Sequence, residues 1–365
     1  MGGPLTGLRV IEFSGIGPGP FCGMLLADMG ADVICVDRKS AEISASTATF
    51  FRGKRSIELN LKDSSDVETA LRLIESSDAL IEGFRPGVME RLGLGPDVCL
   101  ERNPSLIYGR MTGWGQEGPL ARSAGHDINY ISLTGALAAI GPKDGPPSIP
   151  LNLIGDFGGG ALYLAMGICA ALFERSRSGK GQVIDAAMVD GATSLASTFI
   201  TRMAEGGWNE SRASNQIDGG SPYYNVYETA DGKYISVGSI EPQFFSMLKD
   251  KLELTGPLWE QQLNRENWPE MIAKLGEIFR SRSRDEWCDL LEGTDVCFAP
   301  VLSFAEIAKH PHLEARKTVV NIQNTLQSNA APRFSRTPSE VGRPLKRIGF
   351  HTEDILNELT EKEGR

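Results

Sequence analysis

LRVIEFSGIGPGPFCGMLLADMGADVICVD, residues 8–37, is the stretch whose reading decides the fold. Leu8–Phe13 is a short apolar run and reads as a buried strand. Residues 15–20, Gly-Ile-Gly-Pro-Gly-Pro, read as a loop. Phe21–Met29 has helical spacing, with Met24, Leu25 and Met29 on one face, and Asp32–Asp37 is a second buried strand. Strand, loop, helix and strand in that order predict a parallel α/β unit. The pattern continues outward. Ser56–Leu61 alternates as a strand, Val67–Ile74 spaces as a helix and Ala79–Ile81 follows as a strand. Gly87–Leu92 is a short helix and Ser105–Met111 another strand. The first half is therefore predicted to be Rossmann-like, of α/β class.

A nicotinamide site would place Gly-x-Gly-x-x-Gly at the first turn and an acid about 20 residues later. Asp37 suits the acid, but after Gly15 and Gly17 the third slot holds Pro20. Arg38, next to Asp37, points to a phosphate instead. Basic residues recur after the predicted strands: Arg38, Arg52, Lys54, Arg55, Lys62, Arg85 and Arg91. Ligands of open α/β sheets bind beyond the carboxyl ends of strands, and guanidinium groups there suit a phosphate-rich ligand.

GQVIDAAMVDGATSLASTFI, from Gly181, is a strand followed by a helix starting near Asp190. Residues 1–205 are assigned to the large domain and the polar, glycine-rich segment 206–221 to a linker. Tyr223–Ser239 is a hairpin turning at Asp231-Gly232. With helices at 242–251, 268–279 and 284–291 and an extended run at 297–302, it makes a smaller α+β domain, 222–325. Residues 326–365 return to the large domain and end in a helix, 351–360.

Of the 365 residues, 41% are hydrophobic and 23% charged, as in ordinary globular proteins. The net charge of −10 argues against nucleic acid as a partner. The six cysteines (22, 35, 99, 169, 288 and 297) form no Cys-x-x-Cys pair and no zinc spacing, so they read as reduced thiols of a cytoplasmic protein. The start, MGGPLTGLRVIEF, lacks the pattern of a secretory signal. The apolar run 161–173 is too short to span a bilayer and reads as a core helix, so no membrane partner is expected.

Two carboxylate and imidazole positions stand out. In LNLIGDFGGG, residues 151–160, Asp156 lies on a glycine-rich turn before an apolar helix predicted from Gly160 to Arg175. An N-cap is the simpler reading of that aspartate. His126, in Gly125-His126-Asp127, lies at a second helix start after a glycine, whereas His310, His312 and His351 read as surface residues. His126 and Asp156 together supply two proton carriers for one carbon, and backbone N–H groups at helix starts supply donors for an oxyanion. No second ligand stands at metal spacing from His126, so no metal is expected.

At this point the residues carry a family resemblance over nearly the whole chain. GLRVIEFSGIGPGPFCGMLLADMGADVICVDR, IEGFRPGVMERLGLG, LIYGRMTGWGQEGP, AGHDINYISLTGAL, NLIGDFGGGALYLAMGI, GKGQVIDAAMVDG, YETADGKYISVGSIEPQFF and APRFSRTP occur in that order. The sequence resembles the α-methylacyl-CoA racemase family of the class III CoA-transferase superfamily. The resemblance implies interconversion of (2R)- and (2S)-2-methylacyl-CoA thioesters by 1,1-proton transfer, with His126 and Asp156 as the acid/base pair. It implies Glu241 as a supporting carboxylate from the partner subunit of an interlocked homodimer. It also implies coenzyme A contacts at Arg38, Leu59, Asn60, Leu61, Lys62, Gly83, Phe84, Arg85, Arg91, Gly125, His126, Asp127, Ile128, Asn129 and Tyr130. No cofactor is implied, since coenzyme A is part of the substrate. The alternative is a CoA-transferase, whose relatives use the aspartate matching Asp156 as a nucleophile. Such relatives also tend to have a glycine-rich flap, to which Gly219-Gly220 is a poor match.

Overall fold

Six short segments align as one parallel sheet in a computed structural model of the chain, which describes residues 2–13, 15–38, 42–43 and 47–363. In chain order, β1 is Arg9–Phe13, α1 Pro18–Asp28, β2 Asp32–Asp37, β3 Arg55–Glu58, α2 Ser64–Glu75 and β4 Ala79–Glu82. Two short helices, α3 (Val88–Arg91) and α4 (Pro96–Arg102), precede β5 (Ile107–Thr112) and α5 (Asp127–Ser132). After α6 (Ala136–Ala139), which belongs to the other unit, a π-helical run, Leu153–Ala161, leads into α7 (Leu162–Ser178). Then come β6 (Gln182–Ala187) and α8 (Met188–Leu195). The sheet order is β3-β2-β1-β4-β5-β6. This is the dinucleotide-fold order, with its switch point between β1 and β4.

The apolar runs are continuous because both faces of the sheet are covered. Val10, Val33, Ile81 and Ile107 pack against Cys22 and Leu26 of α1 and Leu164 and Ile168 of α7. Ile11, Ile34, Leu80 and Tyr108 point the other way, onto Leu73 and Ile74 of α2, Cys99 of α4 and the C-terminal residues Ile355 and Leu359.

The contacts divide the chain into two units. The first comprises residues 1–134, 151–196 and 317–365, and the second 135–150 and 197–316. Besides α6, the second unit contains α9 (Ser197–Ala204), β7 (Tyr224–Glu228), β8 (Tyr234–Gly238), α10 (Pro242–Lys251), α11 (Trp268–Phe279), α12 (Arg284–Leu291), β9 (Phe298–Pro300) and α13 (Pro311–Ala315). Its antiparallel sheet, β7-β8-β9, packs Tyr227, Ile235 and Val237 on Phe245, Leu275, Phe279 and Trp287. Segment 206–221, read in the sequence as a linker, folds within this unit, where Asn215 donates through Nδ2 to Asn209 O (2.8 Å) and to Asp218 Oδ2 (2.8 Å). A last hairpin, β10 (Val319–Ile322) with β11 (Thr325–Ser328), and α14 (Thr352–Glu363) complete the first unit.

Several local expectations change. Pro18 opens α1, so the predicted loop of residues 15–20 ends at Gly17; proline suits the first helical turn, where its missing N–H costs nothing. The helix read from Gly160 begins at Leu153, because its glycines sit inside a π-helical run. The resulting helical stretch, Leu153–Ser178, is 26 residues with a mean hydropathy of 1.5, long and apolar enough to cross a membrane by length and composition, against the shorter run read from sequence. Leu164, Ala165, Ile168 and Ala171 on it are buried in the first unit's core. His351, expected at the surface, accepts the Ser56 N–H at Nδ1 (3.2 Å), and His310 Nε2 meets Glu292 Oε1 at 2.7 Å.

Three of the basic residues proposed for phosphate are committed elsewhere. Lys54 is buried, its Nζ 2.6 Å from Glu12 Oε2 and 2.9 Å from Pro20 O. Arg52 is buried against Asp28, with Nη2 2.5 Å from Oδ2, and also donates to Ser328 O (2.8 Å). Arg55 bridges Asp32 and Glu358 (2.6 Å each). Removing one member of a buried pair leaves an uncompensated charge. Lys54→Ala is therefore expected to destabilise the first unit by about 3–5 kcal/mol, read from urea unfolding. The double replacement of Glu12 and Lys54 by apolar residues of similar volume is expected to recover most of that loss.

Candidate active site

The carboxyl ends of β1, β4, β5 and β6 open into one cavity of about 630 Å³ in the first unit. Phe13, Gly15 and Ile16 line it after β1, Gly83, Phe84, Arg85 and Pro86 after β4, Thr112, Gly113 and Trp114 after β5, and Met188 after β6. Its wall is completed by Gly125, His126, Asn129 and Tyr130 at the start of α5 and by Asp156 from the π-helical run. The strand order dictates this place, beyond the carboxyl ends at the switch point.

His126 is the residue before α5; its carbonyl accepts from the Asn129 N–H (2.8 Å), and its own N–H donates to Asn129 Oδ1 (3.0 Å). The ring is exposed at the cavity. Tyr130 is buried, stacks edge-on against Trp114 (4.8 Å between centroids) and donates its hydroxyl to Gly125 O, which holds the turn before His126.

Asp156 does not cap a helix. It lies within the helical run, four residues after Asn152, whose Nδ2 donates to Asp156 Oδ2 (3.0 Å). The Asp156 N–H is taken by Asp127 Oδ2 (2.7 Å), so it is no oxyanion donor, contrary to the general expectation for helix starts. In the first turn of α5 the Asn129 and Tyr130 N–H groups go to the His126 carbonyl (2.8 and 3.3 Å), which leaves those of Asp127 and Ile128 for that role. Gly17, at φ 73°, brings the chain so close that a Cβ there would lie 3.1 Å from Asp156 Oδ2. Burial raises the Asp156 pKa above the usual aspartate value, and the charge of Asp127 adds to this; the Asn152 hydrogen bond and the His126 imidazole oppose it.

The cavity brings together eight of the residues expected from the sequence: Gly83, Phe84, Arg85, Gly125, His126, Asn129, Tyr130 and Asp156. The others lie outside its lining. Arg38, Asn60 and Lys62 are exposed just beyond the ends of β2 and β3, Leu59 is buried and Leu61 half-buried. Arg91 is exposed at the end of α3. Ile128 lies on α5, exposed, and Asp127 is buried with its carboxylate turned to the Asp156 backbone. Glu241 precedes α10 in the second unit and is exposed. Asp37 is buried and accepts from Ser56 Oγ (2.9 Å), which removes the acid of the nicotinamide reading from any ribose. Ile16 and Met111, read as apolar neighbours of the site, line the cavity; Leu153 and Ile154 do not. Asn152 was missed, although its i, i+4 spacing to Asp156 marks a neighbour once the helix is known to start at Leu153. Among the described residues no group of three or more His, Cys, Asp or Glu side chains gathers as metal ligands do.

An acid whose folded pKa is raised contributes stability while protonated and loses it as pH rises through that pKa. Asp156→Asn, which keeps an acceptor for Asn152, is therefore expected to raise the thermal midpoint at neutral pH. The gain should vanish below the ordinary aspartate range. Calorimetry at the two pH values checks this, and equal midpoints at neutral pH would contradict it.

A sequence profile described as CoA-transferase family III matches residues 5–352. The chain is 45% identical over 356 residues to a mouse (Mus musculus) protein named alpha-methylacyl-CoA racemase, covering 97% of this chain and 93% of that one. The human (Homo sapiens) protein of the same name is 44% identical, with 97% and 93% covered. Among solved structures, a CAIB/BAIF family protein from Brucella suis superposes with a TM-score of 0.85 at 27% identity, covering 98% of this chain and 100% of that one.

Proposed function

The chain belongs to CoA-transferase family III, and on that premise we propose that it is an isomerase that interconverts (2R)- and (2S)-2-methylacyl-CoA thioesters. One observation carries the reading: an imidazole and a carboxyl whose proton affinity is raised line the same cavity. A thioester acidifies the proton on its α-carbon. On this reading one of His126 and Asp156 removes that proton, and the enolate oxygen is held by backbone donors such as those opening α5. The other group returns a proton to the opposite face. The roles exchange between the two directions, and His126, being exposed, re-equilibrates with water. A raised pKa suits Asp156 to hold a proton for part of the cycle.

Coenzyme A is a substrate component here, so the reaction needs no metal or redox group. Arg38, Lys62, Arg85 and Arg91 are exposed near the carboxyl ends of β2, β3 and β4, where they suit its phosphates. The CoA-transferase alternative, with Asp156 as nucleophile, is less well supported. It has no use for His126 as a second proton carrier, and Gly219-Gly220 is folded down rather than free as a flap: Asn225 Nδ2 donates to Gly219 O at 2.8 Å. The six free cysteines, three of them buried, suit a reducing, cytoplasmic compartment.

A homodimer fits an apolar stripe on the first unit, where Leu162, Met166 and Phe173 of α7 are 51%, 61% and 61% exposed. Glu241 would then serve as the supporting carboxylate of the partner subunit. Light scattering is expected to give twice the 39.6 kDa of the chain. A monomer would remove that assignment of Glu241.

The central test is deuterium wash-in at the α-carbon of each 2-methylacyl-CoA epimer in heavy water. Both epimers should exchange and interconvert, without transfer of coenzyme A to an added carboxylic acid. His126→Ala and Asp156→Ala are each expected to slow interconversion by about 10²–10⁴-fold. Unchanged wash-in in both variants would sink the acid/base assignment, and efficient transfer to the free acid would favour the transferase.

A further inference from the structure

A second carboxylate lies directly behind Asp156, and the proton-transfer reading does not use it. Asp127 is 6% exposed, on the first turn of α5. Its Oδ2 accepts the backbone N–H of Asp156 at 2.7 Å. Its Oδ1 is buried and has no hydrogen-bond partner among the described residues. The approach is so close that a Cβ on Gly155 would stand 2.6 Å from Asp127 Oδ2, so the residue before Asp156 has no room for a side chain. A buried carboxylate with one idle oxygen is costly to keep, and a structural anchor for a single N–H would be served as well by an amide. Its placement next to a second carboxylate, with His126 adjoining it in sequence, calls for a reason in the chemistry.

We propose that Asp127 is the positioning residue for Asp156: its buried carboxylate fixes the backbone that aims Asp156 into the cavity, and its negative charge disfavours a second charge on Asp156. The proposal rests on the proton-transfer reading of the site. Its electrostatic half follows from proximity, since two carboxylates that share one poorly solvated region do not both ionise readily. The direction of the Asp156 shift agrees, with the charge of Asp127 adding to the effect of burial.

The other charged groups on the elements around this turn are engaged or distant in sequence from it. Asp28, at the far end of α1, pairs with Arg52, and Arg110 of β5 pairs with Glu82 and Glu90. Asp185 of β6 accepts the Gln116 N–H (3.0 Å), and Asp190 of α8 is exposed. Glu174, Arg175 and Arg177 lie at the far end of α7. His126, Asp127 and Tyr130, all from the start of α5, are the titratable groups that act with or against Asp156. Asn152, within the helical run itself, supplies a neutral donor.

Asp127→Asn separates position from charge, because the amide oxygen still accepts the Asp156 N–H. The whole protein, labelled with ¹³C at aspartate carboxyls, is titrated by NMR, with the Asp156 signal identified by its loss in Asp156→Asn. In parallel, deuterium wash-in into a 2-methylacyl-CoA is followed against pH. In Asp127→Asn the Asp156 titration and the matching limb of the rate profile are expected to move to lower pH. The kcat should fall about tenfold or more while KM changes little, as a loss felt in the transition state requires. An unmoved titration together with an unchanged kcat overturns the proposal. If Asp127→Asn does not fold, Gly155→Ala takes its place: the new methyl pushes the Asp127 carboxylate off the Asp156 N–H while its charge remains. That variant is expected to lose kcat at least about tenfold, and a wild-type kcat in it overturns the positioning claim. Should the wild-type protein exchange no deuterium, the proton-transfer reading fails by itself, and the NMR titration still decides whether Asp127 governs Asp156.

Discussion

Lys54 and Glu12 meet at 2.6 Å in the core of the first unit, their side chains no more than 1% exposed, and much of the architecture depends on that contact. Glu12 lies next to the last residue of β1, paired in the sheet with Cys35 of β2 and Ile81 of β4. A charge there is tolerable only if its partner and its remaining hydrogen bonds are supplied. Lys54 supplies them and also binds Pro20 O, while Cys35 approaches the second Glu12 oxygen at 3.6 Å. The pair occupies the space a side chain on residue 23 would need: a Cβ on Gly23 would lie 1.8 Å from Glu12 Oε2. The ion pair therefore sets how closely α1 approaches the sheet. It also pins the first turn of α1, which follows Gly17, the residue whose backbone crowds Asp156. A core interaction thus reaches the candidate site through one helical turn.

The same logic orders the strand ends. Glu82, the last residue of β4, is fully buried, accepts the Phe84 N–H at 2.7 Å and holds Arg110 at 2.9 Å. The loop from Gly83 to Pro86 that lines the cavity is thereby tied to the strand beneath it. Asp37, the last residue of β2, accepts the Ser56 hydroxyl, which in turn accepts the Gly349 N–H of the C-terminal segment (2.9 Å for each bond). Polar residues at the carboxyl ends hold the loops, and the exposed basic residues Arg38, Lys62 and Arg85 stand beyond them.

This division explains what was legible in the sequence. Strands β1, β2 and β4 and helices α10, α11 and α12 could be read because apolar runs and helical periodicity report burial directly. His126 and Asp156 could be paired because each follows a glycine at a helix start. Partner identity was not legible. Arg52, Lys54 and Arg55 have the composition of a phosphate site, yet their partners Asp28, Glu12, Asp32 and Glu358 lie from 23 to 303 positions away. Nothing local in a sequence distinguishes a buried lysine from a solvated one. The start of the long helix failed for a different reason: three successive glycines favour a turn by propensity, and only packing against α8 and α1 makes them helical.

Two readings of Asp156, proton carrier and nucleophile, make different demands on its surroundings. A nucleophilic carboxylate must be ionised when it attacks, so a site built for it should stabilise the charge. A carboxyl that returns a proton must bind it well enough to have it available near neutral pH. Burial and the nearby Asp127 both push Asp156 toward holding a proton, against a single neutral donor from Asn152 and the imidazole of His126. The net effect is a proton affinity above that of an ordinary aspartate. On the proton-transfer reading, His126, exposed where Asp156 is partly buried, is the complementary half: a base that can exchange with water beside an acid that water reaches less readily. On this reading, unequal solvation of two groups at one cavity lets either take the proton that the other returns.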